Sequence, residues 1–321
     1  MGKLQRYFWP KSLLLFYLRD ETIEAAFGYL EKDGPDLVER RRFGPGEKGR
    51  FEAWYRELAE IYPQTYVGTF LETVKQGAFP GCGPRAWQMF GIESALNNVV
   101  CIDGKWSAYV SSVEMKWFEQ RFKAMTFDYL FSPFVLLYTS IRRHETWRRQ
   151  CCCAVLHRKG LAFLVIVSPD EGFCYAQALA LGSGDAVLDG TLATDETEEE
   201  LAFDLDMLDE EDVEPIEDVD VFGEFKEESG ESAESEAGDE NALEMLEYNL
   251  NFFEAIKEAI ERFYKDDRYP RAFVERVVLY DLEETGDDFV RYVEDELFME
   301  GAVVHADPLQ IMAELVAEEG A

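Results

Sequence analysis

The stretch spanning residues 273–307 constrains the fold more than any other part of the chain. It opens with FVERVVLYD, in which Val277, Val278, Leu279 and Tyr280 form an unbroken apolar run. Alternate side chains of a strand point to opposite faces, so a run that is apolar at every position suits a strand buried on both sides of a sheet. The LEETGDDFVRYVEDELFMEG that follows places Phe289, Tyr292, Val293 and Leu297 at helical spacing. Asp287 and Asp288 stand in its first turn, where the helix dipole favours negative charge. Residues 302–305 are a second short apolar strand, and Asp307-Pro308 reads as an N-cap followed by proline at the first helical position. Strand, helix, strand, helix at this spacing predicts parallel strands joined by a right-handed crossover, which is half of an α/β domain.

Together with this unit, the chain before it shows one order of elements twice. Residues 12–18, 23–30 and 37–43 read as three strands, separated by turns at Asp20-Glu21 and Asp33-Gly34-Pro35. A helix follows at 51–61, with Phe51, Trp54, Tyr55 and Leu58 on one face, and Pro63 ends it. Residues 65–71 can be a strand, 78–84 a Gly/Pro loop, 85–95 a short helix and 98–102 another apolar strand. Residues 107–122 suit a strand or turn and then a short helix, and 127–143 a helix with Pro133 in its first turn. The pattern then restarts, with strands predicted at 151–157, 161–167 and 173–181. A long amphipathic helix at 243–264 carries Leu246, Leu250, Phe253, Ile256, Ile260 and Phe263 on one stripe, and the unit at 273–307 completes the second half. Independent errors in reading single elements would not duplicate the order of all of them.

The net charge of −35 on 321 residues is concentrated in one place. Residues 195–240 hold 23 acids and one base, Lys226, while the remainder holds 43 acids and 30 bases. The balance argues against nucleic acid, whose binding needs a basic footprint. Residues 227–240 are Ser, Glu, Ala, Gly and Asp and have too little apolar surface to fold, so residues 183–241 are expected to be a disordered acidic insertion. Its DVDVFGEF patch could act as the anchor of a tethered ligand; a solvated spacer is the plainer reading. No signal peptide is evident at the N-terminus and residues 161–167 are too short to span a bilayer, so a soluble cytoplasmic protein is expected. Six cysteines occur without a disulfide spacing. Cys151, Cys152 and Cys153 are adjacent on a strand and point to alternate faces, which suits small buried hydrophobes rather than one metal site.

The duplicated order is that of two ribonuclease-H-like modules in tandem, and the chain resembles the PilM/GspL-type actin-like proteins, scaffolds of type IV pilus, type II secretion and DNA-uptake machines. The parts that carry the resemblance are MTFDYLFSPFVLLY at 125–138, HRKGLAFLVIVSPDEGFCYAQAL at 157–179, and the tail from Phe273. The resemblance implies an α/β fold of tandem actin-like modules, with mixed five-stranded sheets and flanking helices. It implies a first half at 1–126, a second at 127–182 and 242–321, and the acidic insertion within the second module. It also implies a partner, the cytoplasmic segment of a membrane-anchored assembly protein, with an assembly ATPase as a further one. The location implied is the inner face of the cytoplasmic membrane, reached through that partner.

The loops depart from the pattern of the active members. Those ATPases cradle phosphates in two hairpin turns whose glycines let backbone N–H groups approach. Here the first turn is Leu18-Arg19-Asp20-Glu21-Thr22, without glycine and with an extra acid. The second is His157-Arg158-Lys159-Gly160, without aspartate to hold a metal. The Gly-Gly that would receive adenosine after Tyr280 is replaced by Asp281-Leu282-Glu283-Glu284. The expectation is therefore no catalytic residue, no cofactor and no metal. His144, His157 and His305 stand at no metal or triad spacing. Gly182-Ser183-Gly184 and Gly81-Cys82-Gly83 lack the strand-to-helix context of a nucleophile elbow, and the arginine clusters at 40–42, 142–143 and 148–149 read as solvated edges.

The function expected is a non-catalytic scaffold. Tyr66, Phe70, Phe79, Trp87, Phe90, Trp106, Tyr109 and Trp117 crowd the first half beyond its meander, more aromatics than a small module needs. They are the candidate partner-binding residues, with core filling as the plain alternative. Three other functions stay open: an actin-like ATPase with divergent loops, a small-molecule kinase, and an acidic interaction module of unrelated fold.

Overall fold

The computed structural model describes residues 11–19, 22–158, 160–181, 233–282, 286–305 and 307–319, with backbone alone at 233–246 and 286–287. The chain divides into two units, residues 1–187 with 247–321, and residues 188–246. All side chains discussed below belong to the first.

The first half opens with β1 (Ser12–Arg19), β2 (Thr22–Glu31) and β3 (Gly34–Phe43), an antiparallel meander, followed by α1 (Lys48–Ile61) and β4 (Thr65–Phe70). Leu13 to Phe16 of β1 are fully buried, since the strand is central and covered on both faces. β3 is the edge, and Glu39, Arg40, Arg41 and Arg42 line it. Phe51, Trp54 and Leu58 of α1, spaced by three and four, are its buried stripe. Next come β5 (Gln76–Pro80), α2 (Pro84–Met89), β6 (Asn97–Ile102), β7 (Trp106–Ser111), α3 (Ser112–Arg121), β8 (Tyr129–Phe131) and α4 (Pro133–Arg143). β8 pairs in parallel with β4, which gives a five-stranded sheet ordered β3-β2-β1-β4-β8.

The second half repeats this with β9 (Cys152–Arg158), β10 (Leu161–Ser168), β11 (Gly172–Ala180), α5 (Ala233–Lys265), β12 (Arg276–Asp281), α6 (Gly286–Glu296), β13 (Glu300–His305) and α7 (Pro308–Glu318). Its sheet is ordered β11-β10-β9-β12-β13, the same path, with β9 parallel to β12 and β12 parallel to β13. The apolar run at Val277–Tyr280 is thus central and fully buried, as its composition predicts.

Three apolar layers hold the halves. Phe16, Phe51, Trp54, Phe118 and Phe122 fill the outer side of the first sheet against α1 and α3. Phe252, Phe253, Ile256, Phe263 and Phe289 do the same on the second sheet. Between the sheets, residues of both inner faces join α4 and α7 in one core. Burying each such aromatic contributes on the order of 2–3 kcal/mol. The helices are exchanged: α7, from the chain's end, packs on β1, β2 and β3, while α4 packs on β9 and β10. Asp307 caps α7 by accepting from the N–H groups of Leu309 and Gln310, and Arg40 of β3 donates to its other oxygen. Arg143 of α4 pairs with both Glu314 and Glu318 of α7.

Several sequence expectations are corrected. The fifth strand of the first sheet is Tyr129–Phe131, within the predicted 127–143 helix, so the first half runs past residue 126. Ser132 then caps α4 with Pro133 at its first position. The strand at 98–102 does not enter that sheet. It joins β7 and β5, the latter read as a loop, in a separate three-stranded sheet ordered β5-β7-β6. The predicted helix at 85–95 stops at Met89. Cys82 and Cys101, 19 residues apart, form a disulfide with Cα atoms 5.5 Å apart, which removes Cys82 as a nucleophile. Cys151, Cys152 and Cys153 are buried, as expected of apolar strand residues. Of the insertion expected at 183–241, residues 183–232 lie outside the described residues, while the backbone at 233–241 belongs to α5 rather than to a disordered stretch.

Candidate functional site

The ends of β1, β4, β9 and β12 meet where the two halves face each other. Arg158, the last residue of β9, is buried there. Its Nη1 donates to Glu72 Oε1 at 2.5 Å, just beyond β4, and its Nη2 donates to the carbonyl of Leu18, at the end of β1. The guanidinium also lies 5.7 Å from the centre of the Tyr17 ring. Tyr17 donates to Glu24 at 2.8 Å, and burial followed by that carboxylate pushes its phenol far above the usual range. In the opposite direction Arg19 Nη2 donates to the carbonyl of Leu282 at 3.1 Å. At this meeting point an arginine from each half reaches across to the other.

Behind Arg158 a second network fixes the turn between β9 and β10. His157 Nδ1 stands 3.7 Å from Asp281 Oδ1, and its ring stacks on Phe252 with centroids 4.0 Å apart. His157 Nε2 is 3.1 Å from the Tyr248 hydroxyl. That hydroxyl donates to the Arg158 carbonyl at 3.2 Å and accepts from the Gly160 N–H at 3.1 Å. Asp281, His157 and Tyr248 form a row of acid, imidazole and phenol. The phenol is held on three sides by protein atoms, so the row serves to hold the hairpin. The three residues are far apart in number, so no local motif marks the group. The available signal is register: Asp281, the last residue of β12, lies opposite His157, the last but one of the parallel β9.

The described part of this region does not fit a bound phosphate. The Gly160 N–H, the donor a phosphate would take from this hairpin, is committed to Tyr248. The Arg158 guanidinium is committed to Glu72 and Leu18. Asp20, Glu21, Lys159, Glu283 and Glu284, the other residues of the three loops, lie outside the described residues.

The aromatic group is split by the structure. Phe70, Phe79, Phe90 and Trp106 are buried and belong to the core, which corrects their assignment to a partner surface. Trp106 stacks on Phe173 of the second half with centroids 4.3 Å apart, alongside Tyr138. Phe90 meets Tyr269, also of the second half, at 5.2 Å. Trp87 and Tyr109 join Phe79 and Phe90 in the small core between α2 and the three-stranded sheet. Tyr66 packs beside Tyr129. Trp106 and Phe90 thus dock the three-stranded sheet and α2 onto the second half. Trp117 of α3 is 54% exposed, with Arg121 above its ring and Val113, 69% exposed, one turn before it.

A family model described as "Domain of unknown function (DUF8341)" matches residues 153–321, more than half of the chain. The chain belongs to this family. A second model, "Domain of unknown function (DUF8569)", matches residues 9–138 of the DUF8341 protein. No curated protein matches it. Among solved structures, the "PilM-PilN type IV pilus biogenesis complex" is similar at 11% identity and a TM-score of 0.54, over 95% of each chain. A Bacteroides thetaiotaomicron VPI-5482 "protein with actin-like ATPase fold and unknown function" is similar at 8% identity and 0.49, over 98% of this chain and 99% of that one. The repeated strand order and the likeness to the PilM complex show that the DUF8341 protein has the actin-like fold. No described helix is long and apolar enough to cross a membrane.

Proposed function

We propose that this DUF8341 protein is a non-catalytic actin-like scaffold. It holds the cytoplasmic segment of a membrane-anchored assembly protein, and through it sits at the inner face of the membrane. The observation that carries the reading is Arg158. A buried arginine that joins the two hairpins takes the place of the anion those hairpins would otherwise share. The halves are then held by protein contacts and need no nucleotide to close. The docking half of the reading is supported by kinship of fold with a protein seen in a pilus biogenesis complex. It is also supported by Trp117, a large aromatic left on the surface of the first half.

The test uses the cytoplasmic segment of a membrane protein encoded beside this chain, titrated against the full protein by calorimetry. Binding is expected, with Trp117→Ala weakening it about tenfold or more while leaving the melting temperature in place. Failure of such segments to bind, or turnover of Mg-ATP by the protein alone, would overturn the scaffold reading in favour of an actin-like ATPase.

A further inference from the structure

Among the described residues three sheets present six edges, and five of them are guarded. β3 carries Glu39, Arg40, Arg41 and Arg42. β8 has three residues. β5 and β11 lie against each other. β13 starts at Glu300, paired with Arg276, and ends at His305. Charge, shortness and cover are the ways in which sheet edges are kept from pairing with other chains.

β6 has none of them. Asn97-Asn98-Val99-Val100-Cys101-Ile102 holds no charge and no proline. β7 flanks it on one side, and no described element runs along the other. Val100 is 63% exposed, and Leu96, just before the strand, is 61% exposed. Leu96 accepts from the Ser112 N–H at 2.8 Å, which sets it beside the exposed Val113. The Cys82–Cys101 disulfide ties the strand to the loop before α2.

Charge decides what covers it. Copies of a chain with a net charge of −35 repel each other over most of their surface. The nearest ionisable residues along the chain are Glu93 and Asp103, outside the strand, so two copies can meet here at little electrostatic cost. Run antiparallel about a twofold axis, which leaves each side chain on its own face of the sheet, β6 can pair with itself: Val100 of one copy faces Val100 of the other, and Asn98 faces Ile102. We propose that β6 pairs with β6 of a second copy, forming one continuous six-stranded sheet across a symmetric dimer.

Light scattering after gel filtration of the full chain tests this. A mass twice 36.9 kDa is expected. The dimer should strengthen with salt, because salt screens the repulsion between acidic surfaces. Val100→Lys, at an exposed position, should weaken association tenfold or more without lowering the melting temperature. Val38→Lys, at a similarly exposed apolar residue on β3, should leave it unchanged. Amides of residues 97–102 should exchange more slowly in the dimer. A monomer at all concentrations and salts, or a dimer that survives Val100→Lys or is lost with Val38→Lys, would overturn the proposal.

Discussion

Arg158 of the second half donates to Glu72 of the first at 2.5 Å, with both side chains almost buried. A pair removed from water in this way is costly to break from one side, because the partner keeps its charge and loses its compensation. Arg158→Ala is expected to cost about 3 kcal/mol. Glu72→Ala should cost a similar amount, and the double variant clearly less than the sum. Chemical denaturation of the four proteins measures this coupling; additive effects would show that the two side chains do not act together.

The central strand gives a sharper outcome. Val278 is fully buried, between β9 and β13. Val278→Asp would place an unpaired carboxylate inside the core, and no cooperative unfolding transition should remain. A variant that melts normally would contradict the strand order.

Asp307 has two tasks, capping α7 and holding Arg40 of the first sheet. Asp307→Ala should lower stability by about 1–2 kcal/mol. Asp307→Ser, which keeps the cap and loses the charge, should recover the larger part. Equal losses would assign the effect to the ion pair.

Thiol chemistry should separate the cysteines. Burial raises the thiols of Cys151, Cys152 and Cys174 to about 12, and that of Cys153 well above its usual value. The folded chain at neutral pH should therefore react with iodoacetamide on the order of a thousandfold more slowly than the unfolded one. The sign for stability follows from which state binds the proton more tightly. The folded state does, so these groups stabilise fully below pH 9, and that contribution is lost between 9 and about 12. Denaturation at rising pH checks it, and a stability increasing across that window would contradict the burial.

Which parts of this structure could be read from the sequence follows from where each element takes its stability. Val277–Tyr280 and Leu13–Phe16 are apolar at every position because each strand is covered on both faces, and composition alone reveals that. The cap of α7 is equally local, written in Asp307-Pro308. Tyr129–Phe131 is a strand of three residues set just before a proline-led helix, and only its pairing with β4 makes it one. The last three residues of β5, ending at Pro80, read as the start of a loop; pairing with β7 forms the strand, and the Tyr109 ring occupies the space that a side chain on Gly77 would take. At the site, the missing glycines of the loops were legible. The pairing of Arg158 with Glu72, 86 residues away, was not, since it depends on how the two halves face each other.

Tyr248 takes the Gly160 N–H, and Glu72 and the Leu18 carbonyl take the Arg158 guanidinium, so these donors are not offered to a nucleotide. Thermal unfolding of the full protein with and without 1 mM Mg-ATP, a concentration of about 100 Kd for a typical micromolar site, tests it most directly. A bound nucleotide at that excess would add about 2.7 kcal/mol of stability and raise the melting temperature by several degrees. No shift is predicted for the wild-type protein. A rise of several degrees that is saturable in ATP and depends on magnesium would contradict the account.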